Sequence, residues 1–370
     1  MLKKIKTFIA NETVLCVAAV CAIITMLIVP PDGEYLHYVD FRVLCLLFCL
    51  MAVVAGLKAI GTFHWLAYRL LQHIRSGRIL GVTLVLLPFF SSMFITNDVA
   101  LIIFIPFTLM LLDQLGCGRS IIPVTVFQTI AANLGSMATP VGNPQNLYLF
   151  AYYNVNIGDF FSVTLPLTAV SLIALSVGSV FLLPHKLPEQ PMESANVQSS
   201  KQLLIYAALF ILCLLTVFRI VPYLLTTAIT VVVLLIANRK LLKEIDYMLL
   251  LTFVCFFIVS ENLGRVDAIR DFLQRLLQSN TLITAVATSQ VISNVPAAVI
   301  LSGFTDQWQQ LLSGVNIGGL GTPIASLASL ITLKFYMRRP GARTVRFIGF
   351  FTAANVIALA VLLAFALAIG

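Results

Sequence analysis

Charged residues are scarce in this chain of 370 residues. Lysine, arginine, aspartate and glutamate together make up 10% of the sequence, whereas 60% of the residues are hydrophobic. Soluble domains carry about 25% charged residues, so this composition excludes a water-soluble globule. It also excludes a disordered chain, because disorder needs low hydrophobicity and high charge. The chain is therefore predicted to be a membrane protein.

The sequence lacks the alternation of apolar and polar residues that is typical of a transmembrane β-barrel. Whole runs are apolar instead, such as 14–30 and 206–218. The chain also lacks a Cys-x-x-Cys pair and a His-Glu-x-x-His motif, so no transition-metal site is predicted. We expect an all-α polytopic membrane protein that is not an enzyme and needs no cofactor. Its partners would be the lipid bilayer and a small-molecule or ion substrate, and not nucleic acid.

Polar residues and proline interrupt two of the apolar stretches, 79–112 and 280–304. One crossing of a bilayer needs about 20 apolar residues, so the second stretch is too short to cross twice. We predict that both stretches form re-entrant hairpins. About nine spanning helices, two of them broken, are predicted elsewhere: 13–30, 40–57, 120–149, 160–184, 201–219, 221–238, 246–260, 310–336 and 344–368.

Basic residues are distributed unevenly over the predicted loops. With the N-terminus in the cytoplasm, 18 of the 23 lysines and arginines fall on the inner side, in agreement with the positive-inside rule. Arg265, Arg270 and Arg275 form the one basic cluster on the outer side. This arrangement predicts a multi-pass protein of the bacterial inner membrane whose C-terminus lies outside.

The two halves of the chain resemble each other. Residues 95–100 match 292–297, and residues 133–142 match 316–325. The first hairpin starts inside and the second outside, so the repeats are inverted, which is typical of secondary transporters with a site at the membrane midplane. We predict a first repeat at 1–186 (hairpin 79–112, broken helix 120–149), a cytoplasmic linker at 187–200, and a second repeat at 201–370 (hairpin 280–304, broken helix 310–336).

The stretch 133–146 cannot form one regular helix, because Pro140 and Pro144 lie within it beside two glycines. Unwinding frees backbone carbonyls that can coordinate a cation, and it creates a half-helix N-terminus that attracts an anion. Neutral side-chain oxygens accompany this break, from Thr139, Asn143 and Asn146. The matching stretch 316–329 has fewer of them, so the second site is predicted to be the weaker one.

Asp98 is the only one of fifteen acidic residues that lies deep within an apolar run. An acid at membrane depth costs about 2.5–3.5 kcal/mol on insertion scales and normally marks an ion or proton path. The alternative is a local role, in which Thr96 or Asp98 caps the second limb of the hairpin. No lysine or arginine lies in the predicted core. An anion would therefore be held by helix N-termini, amides, hydroxyls and a co-bound cation.

Four short motifs carry a family resemblance: Thr-Asn-Asp at 96–98, Asn-x-Gly…Thr-Pro-x-Gly-Asn-Pro-x-Asn at 133–146, Ser-Asn-Val-Pro at 293–296, and Asn-x-Gly-Gly…Thr-Pro at 316–323. They resemble the ion transporter superfamily, which includes arsenite permeases, bacterial Na⁺/H⁺ antiporters of the D type, citrate permeases and divalent-anion/Na⁺ symporters. The motifs are most similar to the arsenite-permease-like branch and its bacterial inner-membrane anion-permease homologues. The resemblance implies a homodimer in which a mobile transport domain moves, elevator-like, against a scaffold.

The resemblance also implies two cation sites, with the substrate between the hairpin tips. Divalent-anion symporters have Ser-Asn-Thr at both tips, whereas this chain has Thr-Asn-Asp and Ser-Asn-Val. Hydroxyls that would bind a dicarboxylate are thus missing, and Asp98 favours Na⁺ or proton coupling. The implied first cation site is Thr96, Asn97, Asp98, Asn133, Gly135, Thr139 and Gly142; the second is Ser293, Asn294, Asn316, Gly318 and Thr322; the substrate site is Asn97, Thr139, Asn143, Asn146, Asn294 and Thr322.

Two functions are left open by the sequence. One is a secondary active transporter that moves a small anion, a carboxylate or an oxyanion, coupled to Na⁺ or H⁺. The other is a Na⁺/H⁺ antiporter that uses Asp98 and carries no organic or oxyanion substrate. A channel is disfavoured because broken-helix repeats suit alternating access better than a continuous pore.

Overall fold

A computed structural model of the chain describes residues 12–71, 74, 76–185, 199–339 and 341–369. Within these ranges the protein is helical and contains no β-strand. Eight of the described helices are long and apolar enough to cross a membrane. The protein is thus an all-α polytopic membrane protein, as its composition predicts. The predicted linker at 187–200 lies outside the described residues, except for residues 199 and 200.

Short polar caps start several of the long helices. Asp40 accepts a hydrogen bond from Val43 N at 3.0 Å, and Asp246 accepts one from Leu249 N at 2.9 Å. In chain order the helices are α1 (Thr13–Ile28), α2 (Tyr35–Tyr38), α3 (Phe41–Ala59), α4 (Thr62–Leu71), α5 (Gly77–Ile95), α6 (Asn97–Gln114), α7 (Ile121–Ser136), α8 (Pro144–Tyr152), α9 (Ile157–Ser179), α10 (Ser200–Val217), α11 (Tyr223–Asn238), α12 (Tyr247–Gly264), α13 (Asp267–Ile292), α14 (Asn294–Ser302), α15 (Trp308–Gly318), α16 (Leu327–Met337) and α17 (Thr344–Ile369).

The first hairpin consists of α5 and α6 and turns at Thr96. Its limbs have 19 and 18 residues, which is enough for each to cross a membrane. The tip nevertheless stops inside the bundle, since the Asn97 amide donates to Gly142 O at 3.2 Å, between α7 and α8. From that level α8 continues for nine residues, which is about 14 Å of helix. The tip of the first hairpin therefore ends inside the bundle in spite of its long limbs, and its re-entrant character stays a prediction.

The second hairpin is shorter and turns at Ser293. Its first limb starts at Asn280, where α13 is interrupted by a non-helical φ of −164° and ψ of 99°. Asn280 Oδ1 accepts a hydrogen bond from Ile283 N at 2.8 Å, which caps the limb that follows. Its second limb is α14, with nine residues. Both limbs are shorter than a crossing requires.

Contacts between loops show which helix ends lie on the same face of the bundle. One face contains the base of the second hairpin. There, Arg265 after α12 forms an ion pair with Asp32 before α3, at 2.8 Å. Tyr153 Oη, after α8, donates to Thr305 O, after α14, at 2.7 Å. The loop after α8 therefore lies beside the base of the second hairpin, and the loop after α12, which leads into α13, lies beside the loop that contains Asp32.

The other face holds the base of the first hairpin. Gly77 N, at the start of α5, donates to His185 O, after α9, at 3.0 Å. Arg339, after α16, forms an ion pair with Asp113 in the last turn of α6. The two hairpins therefore enter the bundle from opposite faces.

The apolar core has two parts. One part contains the first hairpin, α7, α9 and α17. The other contains α3, α10, α11 and α12, together with α8, α14 and α15. The broken helix α7–α8 thus belongs to both parts, with its two pieces on different sides. Its interruption lies where the two parts of the core meet.

Candidate ion and substrate site

The two hairpin tips have the same backbone geometry. Thr96 has φ 68° and ψ 150°, and Ser293 has φ 75° and ψ 157°. Non-glycine residues in this region carry a strain of about 1–3 kcal/mol each, and such strain clusters at functional sites. Neither residue caps the following helix with its side chain. The local capping role considered for Thr96 is therefore wrong.

Each tip is anchored to the break of its own half by the same hydrogen bond. Asn97 N donates to Gly142 O at 3.2 Å in the first half, and Asn294 N donates to Ala325 O at 3.0 Å in the second. The amides at the start of α6 and α14 thus lie beside the starts of α8 and α16. In each half, two helix N-termini meet in the interior of the bundle.

Glycine is required where the first break contacts its surroundings. A Cβ atom on Gly135 would lie 2.1 Å from Phe89 O of the first hairpin, and one on Gly142 would lie 2.1 Å from Ser136 O. Real Cβ atoms do not approach oxygen so closely, so both positions exclude any side chain. After this compact turn Asn143 caps α8, with its Oδ1 accepting from Asn146 N at 2.8 Å.

Both breaks are tied to their hairpins by threonine hydroxyls. Thr139 Oγ1 donates to Met93 O, and Thr322 Oγ1 donates to Gln290 O at 3.3 Å. These two hydroxyls therefore hold backbone in this structure. Their predicted part in binding ions or substrate stays a prediction.

Asn133 carries the network from the first half into the second. Its Oδ1 accepts from Asn97 Nδ2 at 2.9 Å and from Ser326 Oγ at 3.1 Å. Its Nδ2 donates to Gly319 O at 3.3 Å, in the second break. All of these side chains are buried. A residue of the first broken helix thus completes the polar contacts of the second.

Asn316 makes the reciprocal contacts. Its Oδ1 accepts from Asn143 Nδ2 at 3.2 Å, and its Nδ2 donates to Asn146 Oδ1 at 2.7 Å and to Leu312 O at 2.8 Å. In the sequence repeat Asn316 corresponds to Asn133, and Ser326 corresponds to Asn143. The pairs Asn133–Ser326 and Asn316–Asn143 are therefore equivalent contacts. In one, the asparagine belongs to the first half and its partner to the second, and in the other the halves are exchanged.

The orientation of these amides is fixed by the backbone. Leu312 O can only accept, so Asn316 presents Nδ2 to it and to Asn146 Oδ1. Asn146 must then direct its Nδ2 the other way, where it donates to the carbonyls of Ser136, Met137 and Thr139 at 3.2–3.4 Å. The carboxamide of Asn146 thus donates to three carbonyls that the unwound helix of the first break leaves free.

Asn316→Leu is expected to lower the melting temperature markedly. Two buried amides, on Asn143 and Asn146, would lose a partner, and a buried unsatisfied group costs about 1–3 kcal/mol. Asn355→Leu is the matched control. Asn355 is also fully buried, but its Oδ1 has no partner within the described residues, so this variant should melt at or above the wild-type temperature. Equal melting of the two variants would contradict a structural role of the cross-contacts.

Asp98 differs from all its neighbours in the site. It is partly buried in the first turn of α6, and its backbone N donates to Asn97 Oδ1 at 2.9 Å. Within the described residues its carboxylate has neither a hydrogen-bond donor nor a cation at ion-pair distance. The second half has Val295 at the matching position. The first tip alone therefore offers a charge-bearing ligand.

The electrostatics of the site come from backbone and carboxylate. The segments 79–118, 120–185 and 276–333 contain no lysine or arginine. They include both hairpins, apart from Gly77 and Arg78 at the start of α5, and most of both broken helices. Positive potential in the site therefore arises from the N-terminal amides of α6, α8, α14 and α16. Such a site can hold an anion at the helix starts and a cation at Asp98 or at freed carbonyls.

The structure brings most of the predicted residues together. Asn97, Asn133, Asn143, Asn146 and Asn316 belong to one hydrogen-bonded cluster, in which Ser136 links Asn133 to Asn143. Gly135, Gly142 and Gly318 allow close approach of backbone, and Asn294 lies at the second tip. Sequence reasoning missed three polar residues of the site: Ser136, Gln290 and Ser326. For Ser326 the repeat held a signal, because it is the counterpart of Asn143.

Comparison with known proteins identifies the family. A family model described as "Citrate transporter" matches residues 4–312. An uncharacterized transporter of Methanocaldococcus jannaschii is 33% identical over 302 residues, which cover 81% of this chain and 82% of the relative. The inner membrane protein YbiR of Escherichia coli is 29% identical over 300 residues, 80% of each chain.

A plant relative matches over a shorter region. The silicon efflux transporter LSI3 of Oryza sativa subsp. japonica is 30% identical over 156 residues, which cover 42% of this chain and 31% of that protein. The family match covers the first hairpin, the first break and the second hairpin. The protein is a membrane transporter, not an enzyme, and the chain belongs to the citrate transporter family.

Proposed function

We propose that this protein is a secondary active transporter that moves a small anion, a carboxylate or an oxyanion, coupled to Na⁺ or H⁺. The observation that carries the proposal is the meeting of two hairpin tips with two helix breaks inside the bundle. Paired helix N-termini attract an anion, while unwound carbonyls and a carboxylate bind a cation. Both chemistries occur in one buried cluster.

An anionic substrate is supported by the site and by the family. Citrate is the substrate in the family's description, and silicon is the cargo named for the Oryza sativa relative. Carboxylates and oxyanions share oxygen atoms that accept hydrogen bonds from helix N-terminal amides. Within the superfamily, the Thr-Asn-Asp tip favours the arsenite-permease-like branch as the place of this chain.

Alternating access is proposed to occur by an elevator-like motion within a homodimer. The first hairpin, α7, α9 and α17 share one apolar core, and α3, α10, α11 and α12 lie in the other. The moving body would hold both hairpins, both broken helices, α9 and α17, and it would slide past a scaffold of α3, α10, α11 and α12. The proposed inverted repeats would provide the inward-open and outward-open conformations, because the hairpin of each half enters the bundle from a different face.

The proposed membrane orientation follows the charges. Arg339, His185 and Arg78 lie on the face that holds the base of the first hairpin. With that face in the cytoplasm, the N-terminus is cytoplasmic and the C-terminus is outside. We place the protein in the bacterial inner membrane.

A Na⁺/H⁺ antiporter is the second candidate, and Asp98 favours it. A carboxylate that has no partner among the described residues can bind Na⁺ and a proton in turn, which is the chemistry of exchange. Residues 79–118 and 276–333, which include both hairpin tips, contain no basic side chain to hold an anion. In this function the cluster of asparagines would serve only to hold the tips and breaks in place.

The deciding experiment uses the purified protein in liposomes that contain a pH-sensitive dye. A Na⁺ pulse outside, with a counter-anion that is not transported, should leave the internal pH unchanged if the protein is an anion transporter. Citrate, other carboxylates, silicate, arsenite and sulfate are then added under a Na⁺ or pH gradient, and uptake is measured. Alkalinisation by Na⁺ alone would replace the proposal with the antiporter.

Side-specific labelling tests the two-hairpin site. With the native cysteines replaced, Asn97→Cys and Asn294→Cys should each be labelled from both sides of the membrane as the transporter turns over. Val345→Cys is the control, since Val345 is 87% exposed at the start of α17, and it should be labelled from one side only. Permanent protection of either tip cysteine would contradict a site between the tips.

A further inference from the structure

Gln290 fills the second helix break. Its Nε2 donates to Gly318 O at 2.8 Å and to Leu320 O at 3.0 Å, and its Oε1 accepts from Thr322 N at 3.0 Å. The backbone of the break therefore wraps around the end of one glutamine side chain. Gly321, with φ +98°, is required for this wrapping, because a Cβ there would lie 2.3 Å from Gln290 Oε1.

The orientation of the Gln290 amide is unambiguous. The backbone amide of Thr322 can only donate, so it must face Oε1. Nε2 then faces the carbonyls of Gly318 and Leu320, which can only accept. The partial positive charge of the NH₂ group thus sits among carbonyl oxygens freed by the unwound helix. A coupling cation in a broken helix is held by carbonyls of this kind.

The two halves differ in which residue closes the break, meaning that it donates hydrogen bonds to the free carbonyls of the break. Asn146 of α8 closes the first break, and its counterpart in the repeat is Ser329, whose buried hydroxyl has no partner within the described residues. Gln290 of the second hairpin closes the second break, and its counterpart is Met93. Met137 O and Leu320 O are equivalent carbonyls, and each accepts from one of the two carboxamides.

The halves also differ at their tips. The first tip presents the Asp98 carboxylate, which can ligate a cation without help from the carbonyls that Asn146 occupies. The second tip has Val295 at that position. In the second half, therefore, the carbonyls of the break are the available cation ligands, and Gln290 already engages them.

We propose that the Gln290 carboxamide occupies the cation position of the second break, so that the second half of the chain binds no coupling cation. This inference rests on the proposed cation-coupled function and specifies its stoichiometry. Coupling is then confined to the first half, with at most one cation, at Asp98. Gln290 is a built-in neutral substitute for the second ion.

The test is equilibrium binding of radioactive Na⁺ to the purified full-length protein in detergent. Gln290→Glu replaces the NH₂ group by a carboxylate oxygen that faces carbonyls, an arrangement that needs a cation. We expect this variant to bind one more Na⁺ per chain than the wild type. Gln309→Glu is the control, since Gln309 is exposed at the start of α15, and it should bind the wild-type number.

Gln290→Ser provides a second route to the same result, because it removes the NH₂ group and leaves the carbonyls free for an ion. Melting curves establish that each variant is folded. Two Na⁺ bound by the wild type would overturn the proposal, and so would an unchanged number in both folded variants. No Na⁺ on the wild type but one on Gln290→Glu would support it, while excluding Na⁺ as the coupling ion of the proposed function.

Discussion

Asp98→Asn is expected to abolish cation coupling while the protein stays folded. The side chain keeps its size and its place in the first turn of α6, but it loses the charge that attracts a cation. An acid at membrane depth normally marks an ion or proton path. Cation-driven transport in liposomes should therefore fall to the rate measured with empty liposomes.

Asp159→Asn is the matched control for this variant. Asp159 also lies in the first turn of a long helix, α9, but it is exposed and outside the site. Its replacement should leave transport at the wild-type rate. Cation-driven transport that survives in Asp98→Asn would assign the coupling to another group and leave Asp98 without a transport role.

Gly142→Ala is expected to abolish transport through the shape of the first break. The added Cβ would meet Ser136 O at 2.1 Å and Ser136 C and Cα at 2.8 Å. The turn must open, which displaces the Gly142 carbonyl that anchors the tip through Asn97. Overpacking costs about 1–3 kcal/mol, so we expect a lower melting temperature together with uptake no higher than that of empty liposomes.

Gly349→Ala separates this effect from the general effect of adding a methyl group. Gly349 lies within α17, and a Cβ there has no atom within 4 Å. This variant should melt at the wild-type temperature or above, because alanine favours helix over glycine. Normal transport by a folded Gly142→Ala protein would show that the compact turn is not needed for activity.

Much of the fold follows from features that are visible in one sequence. Proline removes a helical hydrogen bond and glycine weakens a helix, so their concentration around Pro140 and Gly142 predicts the interruption. The polar tip at Asn294 stood out in an apolar run too short to cross twice. The first hairpin was harder, because its limbs are as long as crossing helices. Only the contact of Asn97 with the break shows that its tip ends inside.

The contacts within the site were less predictable. The motifs identify Asn133 and Asn316, but no periodicity shows that each one reaches into the opposite half. Gln290 carried no signal at all, because its counterpart Met93 is apolar and a lone glutamine near a helix end has many uses. Which carbonyls are closed, and by which amide, depends on three-dimensional packing that sequence spacing does not specify.

The reciprocal pairs Asn133–Ser326 and Asn316–Asn143 make each half of the chain dependent on the other. A protein of half this length would leave buried amides unsatisfied, unless a second copy inserted in the opposite direction supplied the missing acceptors. Two separately expressed halves should therefore be inactive alone and regain activity together. The halves are not equivalent, because Asn146 has Ser329 as its counterpart and Gln290 has Met93. Two identical copies of either half should therefore not replace the whole.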